Sequence, residues 1–338
     1  MNVEPFWTEH SPIGVNELEN DAAKLCAPGI PGSLIQGDRI RCCVRGCEHW
    51  LSKRRRGPEA ADTFCPEHGI SVSSSPTYVY QDYRDNFVID VSKLEQVKKL
   101  KVESWRLGNE RSEDAVSWNV FVSLAALNGL SSVLHHLTGL KIEAEPELYL
   151  WGVKITDQAP QRWDRLVQVR QMLEEGGGIP TEPDIILRVP GVAIVLIEAK
   201  FGSPNGTMLG NEDRFGLVHE FLDRYPSVRG EPDPLNREQI ESLPAGQVLQ
   251  QLVRNVVFAQ WLAEKGEVPY VVNLVCEKSE QDIEQRFGTH LAADSPVKFR
   301  RVTWEELYGL PVVATDRADR LKCYMQNKTS GLRKAFAV

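Results

Sequence analysis

The chain of 338 residues carries 47 acidic and 39 basic side chains, a formal net charge of −8. That balance excludes a surface coated along its length with Lys and Arg for a phosphate backbone. With 42% apolar and 25% charged residues, wholesale disorder is excluded too. A nucleic-acid partner would need positive charge gathered locally or a bound cation to screen the acids.

Residues 1–38 form an irregular segment punctuated by Pro28, Gly29, Pro31 and Gly32. Met1 to Asn20 holds Glu4, Glu9, Glu17 and Glu19 and lacks an apolar block, so no secretory signal is expected and a cytoplasmic location is. Seven cysteines, an odd set, argue against a disulfide framework, and the isolated Cys26, Cys276 and Cys323 are expected to be unremarkable small residues.

Residues 39–75 suggest a zinc-finger-like module. The segment Arg41-Cys42-Cys43-Val44-Arg45-Gly46-Cys47-Glu48-His49 is followed by Phe64-Cys65-Pro66-Glu67-His68-Gly69. Tetrahedral zinc needs four ligands delivered as two close pairs, each bending the backbone in a tight knuckle. Cys42 with Cys47, and Cys65 with His68, are the expected pairs. Cys43 could replace Cys42, and His49 is a spare ligand. The preference for Cys42 rests on similarity to the first knuckle of Cys2His2-type fingers. From Arg39 to Arg56 seven basic residues face a single acid, Glu48. Arg45, Lys53, Arg54, Arg55 and Arg56 are the candidate nucleic-acid contacts, and Trp50 could stack on a base.

Residues 76–104 are expected to connect this module to a larger domain over 105–338, with the main boundary near 70–90. Tyr78 to Tyr80 suggests an extended piece, and Ser92 caps an expected helix over Lys93 to Leu100. Glu113-Asp114-Ala115 opens an expected amphipathic helix, Val116, Val120, Leu124 and Leu127 recurring at helical spacing and Glu110, Glu113 and Ser117 sharing one face. The uncharged run Ala115 to Leu140 is long enough to span a bilayer. It holds Asn119, Asn128, His135 and His136, however, and is expected to be helix, turn, helix, with no membrane partner.

The chemistry is concentrated further on. Ile185 to Val189 and Val192 to Ile197 are apolar, mostly β-branched runs joined at Pro190-Gly191, which suggests a buried hairpin. Each run ends in ionisable residues, Asp184 on one strand and Glu198 and Lys200 on the other. A two-residue turn would pair Asp184 with Ile197 and send Glu198 to the opposite face. Convergence of the two carboxylates therefore requires a three-residue turn or a bulge. Two buried like charges call for a cation between them, and oxygen donors suit Mg2+ or Mn2+. The 202–246 stretch is expected to be a long loop, and a helix over Gly246 to Glu264 places Gln247, Gln251, Arg254 and Asn255 on one face.

Asp184 after Pro183, then thirteen residues, then Glu198-Ala199-Lys200, resembles the signature of the PD-(D/E)xK nuclease superfamily. The resemblance implies a restriction-endonuclease-like α/β fold, an αβββαβ core over about residues 105–280 with a mixed central sheet flanked by helices. It implies Asp184, Glu198 and Glu113 as ligands of Mg2+ or Mn2+, with Glu110 competing for the last place, Lys200 as the catalytic lysine, and Gln251 facing the metal. The expected activity is metal-dependent hydrolysis of phosphodiester bonds, in DNA first, with a structure-specific or RNA-directed nuclease as the alternative, in bacterial restriction or phage defence. The rival of another class is a binding or assembly adaptor with an inactive nuclease fold.

Overall fold

The computed structural model describes residues 35–37, 39–42, 47–52, 64–73, 77–100, 107–156, 158–175, 182–201, 205, 218–322 and 324. Cys43, Arg45, Lys53, Arg54, Arg55 and Arg56 lie outside them. The chain divides into two compact units, one built from described residues of 35–91, 107–123 and 308–324, the other from those of 92–100 and 124–307.

The first unit contains two small antiparallel sheets. One comprises β1 (Ile35–Gln36), β2 (Arg39–Arg41) and β3 (Trp50–Ser52), the other β4 (Phe64–Cys65), β5 (Ile70–Val72) and β6 (Tyr78–Tyr80). Ile40, Leu51, Ile70, Val72 and Tyr78 form a shared core with Cys42, Cys47 and Cys65. The Tyr78 hydroxyl donates to the Arg41 carbonyl at 2.7 Å, tying one sheet to the other. The described part of the module is thus strands and turns, without the helix that a Cys2His2-type finger would carry. Alternating runs such as Ile70-Ser71-Val72 and Tyr78-Val79-Tyr80 favour the pleated conformation here.

The expected connector 76–104 is not a free linker. Asn86 Nδ2 donates to the carbonyls of Leu107 and Asn109 at 2.8 and 2.9 Å. Asn119 accepts from the Val88 amide and donates to the Asn86 carbonyl, both at 2.8 Å. Residues 77–91 therefore pack with the start of the expected nuclease-like domain.

α1 (Val91–Lys98) comes next, followed by α2 (Glu113–Ala126). Ser112 Oγ accepts from the Ala115 amide at 3.2 Å, a side-chain cap at the head of α2. Residues 115–124 are buried all round, so α2 is a core helix and not the amphipathic one expected. Glu110 precedes α2, its amide bonded to the Tyr78 carbonyl at 3.1 Å, and so does not share the helical face with Glu113.

The second unit is built on a mixed seven-stranded sheet. Its chain order is α3 (Leu130–Thr138), β7 (Glu147–Leu150), β8 (Val153–Lys154), β9 (Gln161–Arg162), α4 (Asp164–Met172), β10 (Ile185–Val189), β11 (Ala193–Ala199), α5 (Val218–Arg224), α6 (Arg237–Glu241), α7 (Gln250–Leu262), β12 (Val268–Val275), α8 (Ile283–Gly288), β13 (Lys298–Thr303) and α9 (Trp304–Tyr308). The strand order is β13-β12-β11-β10-β7-β8-β9. β7, β10 and β11 run antiparallel, while β11, β12 and β13 are parallel. Every residue of β10 and β11 is buried, as their uninterrupted apolar runs require.

Ile194, Leu196 and Val271 share a core with Leu252, Val256 and Val257 of α7, so that face of the sheet is covered by α7. Arg300 of β13, opposite Val272, lies on the other face and donates to the His136 and Leu137 carbonyls at the end of α3. Helices thus flank both faces. The 202–246 stretch is not structureless either, since α5 and α6 bring Phe221, Leu222 and Ile240 into the core. The uncharged run breaks into α2 and α3 around Asn128, whose φ is +55°, and no single described helix is long and apolar enough to cross a membrane. Cys276, at the end of β12, is disulfide-bonded, a departure from the unremarkable thiol expected there.

Candidate active site and metal centre

The hairpin closes through Pro190, Gly191 and Val192, because Val189 pairs with Ala193. Gly191 has φ +74°, and the Val192 amide bonds to the Val189 carbonyl at 3.0 Å. This is the three-residue alternative. Ile185 pairs with Ile197, and continuing that register one step sets Asp184 directly across from Glu198. Directly opposed residues of antiparallel strands project from the same face. The Ala199 amide donates to Asp184 Oδ2 at 2.8 Å, and the Trp151 amide to the Asp184 carbonyl at 3.1 Å, so Asp184 is held from both neighbouring strands. Just before it, Glu182 accepts from Arg162 and Arg170 at 3.0 and 2.9 Å, which anchors the approach to β10.

Glu198 is 2% exposed. Lys200 Nζ donates to its Oε1 at 2.7 Å and Asn255 Nδ2 to its Oε2 at 2.9 Å. The Lys200 backbone is fixed on both sides, its amide bonding to the Leu274 carbonyl at 2.8 Å and its carbonyl accepting from Trp304 Nε1 at 2.9 Å. Asp184 is half-buried and so remains reachable from solvent. The oxygen donors of Asp184 and Glu198 fit a hard divalent cation, with Lys200 supplying positive charge at the same edge.

The polar contact that α7 makes to Glu198 comes from Asn255, on the same face as the Gln251 expected to face the metal. Asn255, fully buried, holds Glu198, whereas Gln251 is half-buried one turn earlier and no hydrogen bond joins it to the described site residues. Both lie on one face of the helix, but only the later turn reaches Glu198. The expected helix began at Gly246, whereas α7 begins at Gln250 after a separate short turn over Ala245–Gln247.

Glu113 stands at the head of α2 in the first unit, half-buried. Glu110, also in that unit, is buried.

A neighbouring polar group lay outside the sequence-based expectations. Asn273 of β12 is the register partner of Glu198 and is fully buried. Its Nδ2 donates to Glu280 Oε2 at 2.8 Å. Asn205 donates from Nδ2 to Asn273 Oδ1 at 2.8 Å and to Glu280 Oε2 at 2.6 Å, and from its amide to Glu280 Oε1 at 3.0 Å. An asparagine inside the apolar run Tyr270 to Val275 was the only sequence signal for this group.

At the turn end of the hairpin Arg188 meets Glu267 at 2.7 Å and Glu264 at 2.8 Å. Burial works against the Arg188 charge, but the Glu267 carboxylate and then Glu264 outweigh it and raise its pKa. A cation with two acids thus serves as a clasp at this end. The far end differs in that both acids are held at set positions on one face of adjacent strands.

In the first unit Cys42, Cys47, Cys65 and His68 place one ligand atom each within 4.8 Å of one another and could hold a metal ion such as zinc. Cys47 Sγ lies 3.7 Å from Cys65 Sγ, and Cys42 Sγ 3.7 Å from His68 Nδ1. Ligands at 2.0–2.3 Å from a tetrahedral zinc are separated by about 3.5–3.8 Å, so these two spacings fit the ion, while Cys65 Sγ and His68 Nδ1 stand closer, at 3.2 Å. Cys42 and Cys47 flank the loop between β2 and β3, and Cys65 and His68 the turn between β4 and β5. Gly69, at φ +59°, supplies the left-handed turn after His68. Burial pushes the Cys47 thiol up to about 12, opposed by the His49 backbone amide and reinforced by Cys42 and Cys65. Burial, then Cys42, raises the Cys65 thiol, while the Glu67 and His68 amides pull it down. Thiols crowded in this way ionise together only around a cation. His49 lies outside the quartet; with Glu67, also exposed, it forms a second group of possible ligands around the buried Cys47.

No protein-family model, curated protein or solved structure matches the chain.

Proposed function

We propose that the second unit is a restriction-endonuclease-like, metal-dependent nuclease that hydrolyses phosphodiester bonds, with DNA the preferred substrate class. The observation that carries this reading is the three-residue turn, which sets Asp184 opposite Glu198 with Lys200 bonded to the same carboxylate. Asp184 and Glu198 would hold Mg2+ or Mn2+. When bound, the ion polarises a phosphoryl oxygen and makes water a stronger nucleophile at neutral pH. Lys200 orients the attacking water or balances the charge that develops on phosphorus oxygens. Asn255 holds Glu198 in a single rotamer through Oε2. The attacking water forms the new P–O bond, the bond to the leaving sugar oxygen breaks, and the water's proton ends on that oxygen.

The zinc reading supplies the accessory part. Zinc bound by Cys42, Cys47, Cys65 and His68 would close the two knuckles, and the basic segment Arg39 to Arg56 would meet the phosphate backbone.

A second reading has its own support. Lys200 and Asn255 occupy both oxygens of Glu198, an arrangement that also suits a silent, adaptor-like core. Incubating the full chain with plasmid, linear and single-stranded DNA and with RNA, in Mg2+, Mn2+ or EDTA, separates the two. Divalent-dependent cleavage is expected, and RNA cleavage alone would reassign the substrate. No cleavage of any substrate would favour the adaptor.

A further inference from the structure

Asn205 is 3% exposed, and its Oδ1 is buried with no hydrogen-bond partner among the described residues. Turning the amide over does not cure this. Its Nδ2 faces two acceptors, Asn273 Oδ1 and Glu280 Oε2, so a flip would set oxygen against two oxygens. Asn273 is itself oriented by its bond to the same carboxylate. Leaving a carbonyl oxygen buried and unpaired is unfavourable, and such a group calls for an explanation.

The surroundings hold this oxygen in place. Glu280 takes the left-handed conformation, φ +48°, which an L side chain adopts at a cost. Arg301 gathers the loop before it, donating from Nη2 to the Cys276, Glu277 and Ser279 carbonyls at 3.2, 2.6 and 2.8 Å. Arg286 Nη2 stands 3.8 Å from Glu280 Oε1. With three N–H donors already on its carboxylate, Glu280 has little capacity left for a cation. What Asn205 Oδ1 needs is a hydrogen donor. Through Asn273, the register partner of Glu198, the group belongs to the same sheet edge as Asp184 and Lys200.

We infer that Asn205 Oδ1 is the acceptor of a water seat at the ends of β11 and β12, held by Asn273 and Glu280. Resting on the nuclease reading, this makes Asn205 a positioning residue for the water that hydrolysis consumes. Two measurements test it. A crystal structure of the full chain that resolves ordered solvent should show a water within about 2.6–3.2 Å of Asn205 Oδ1. A dry Oδ1, or one bonded to a protein donor, would overturn the inference without any reference to activity. With cleavage established, Asn205→Ala should lower kcat about 10²-fold with KM unchanged. An unchanged kcat in that variant would overturn the positioning role. If the wild-type chain cleaves nothing, the nuclease reading falls, and the crystal structure alone then decides the water seat.

Discussion

Glu198 is the most constrained acid of the sheet edge, buried and bonded through both oxygens. Its contact with Asn255 can be weighed directly. Asn255→Ala leaves Glu198 Oε2 buried without its donor and is expected to destabilise the chain by about 1–3 kcal/mol in urea unfolding. Gln251→Ala, one turn away and half-buried, should stay within about 0.5 kcal/mol. Equal effects at the two positions would contradict the assignment of Asn255. The sequence shows a polar face on this helix but not which turn meets Glu198, because that depends on how the helix crosses the sheet. Asp184, Glu198 and Lys200 were legible because ionisable residues closing apolar strands have few places to go. Asn205 and Glu280 were not, since they meet Asn273 only through long-range folding.

The same contrast holds for elements. The hairpin was legible from two apolar runs about Pro190-Gly191, and its three-residue turn is one of the two alternatives, turn or bulge, that convergence of the carboxylates required. Nothing lies within 4 Å of a Cβ added at Gly191, so Gly191→Ala should cost only the left-handed backbone, about 1–2 kcal/mol. At Gly152, also left-handed, an added Cβ would meet Leu166 at 2.6 Å, so Gly152→Ala should cost more. Thermal unfolding of the two variants checks this order, and a larger loss at Gly191 would contradict it. Of the small sheets of the first unit only the extended piece at Tyr78–Tyr80 was legible, because strands of two or three residues show little periodicity. The cysteine and histidine cluster that could hold a metal was legible, because ligand spacing survives whatever fold carries it. Cys65→Ser should lose zinc by metal analysis while His49→Ala keeps it, and the reverse pattern would contradict the ligand set. Zinc must displace protons from thiols that burial holds protonated, so its release is expected to increase as pH falls.

For the molecule as a whole, the charge of −8 does not describe either end of the chemistry. Two acids, Asp184 and Glu198, stand at the sheet edge, where a divalent cation would offset them, and seven bases lie between Arg39 and Arg56. Stability should depend on pH through His290, which is buried and stacked on Phe287 at 5.1 Å. Burial, with the nearby Arg286 charge adding to it and the Arg286 carbonyl opposing it, lowers its pKa below the ordinary 6.5. The folded state therefore prefers the neutral ring. That stability is full above 6.5 and is lost as pH falls from there through the folded pKa. His290→Leu should flatten this part of the pH profile of the urea midpoint, and an unaltered profile would exclude His290 as its source. The division into units was the least legible feature, since residues 77–91 join the segment after 107 through buried asparagine contacts that leave no mark in composition.

The most direct measurement compares plasmid cleavage by the wild-type chain, Asp184→Ala and Lys200→Ala in Mg2+ and in EDTA. Cleavage by the wild type in Mg2+ alone, reduced at least about 10²-fold in both variants, is the expected result. Cleavage that persists in either variant, or in EDTA, would contradict a metal-dependent site at Asp184, Glu198 and Lys200.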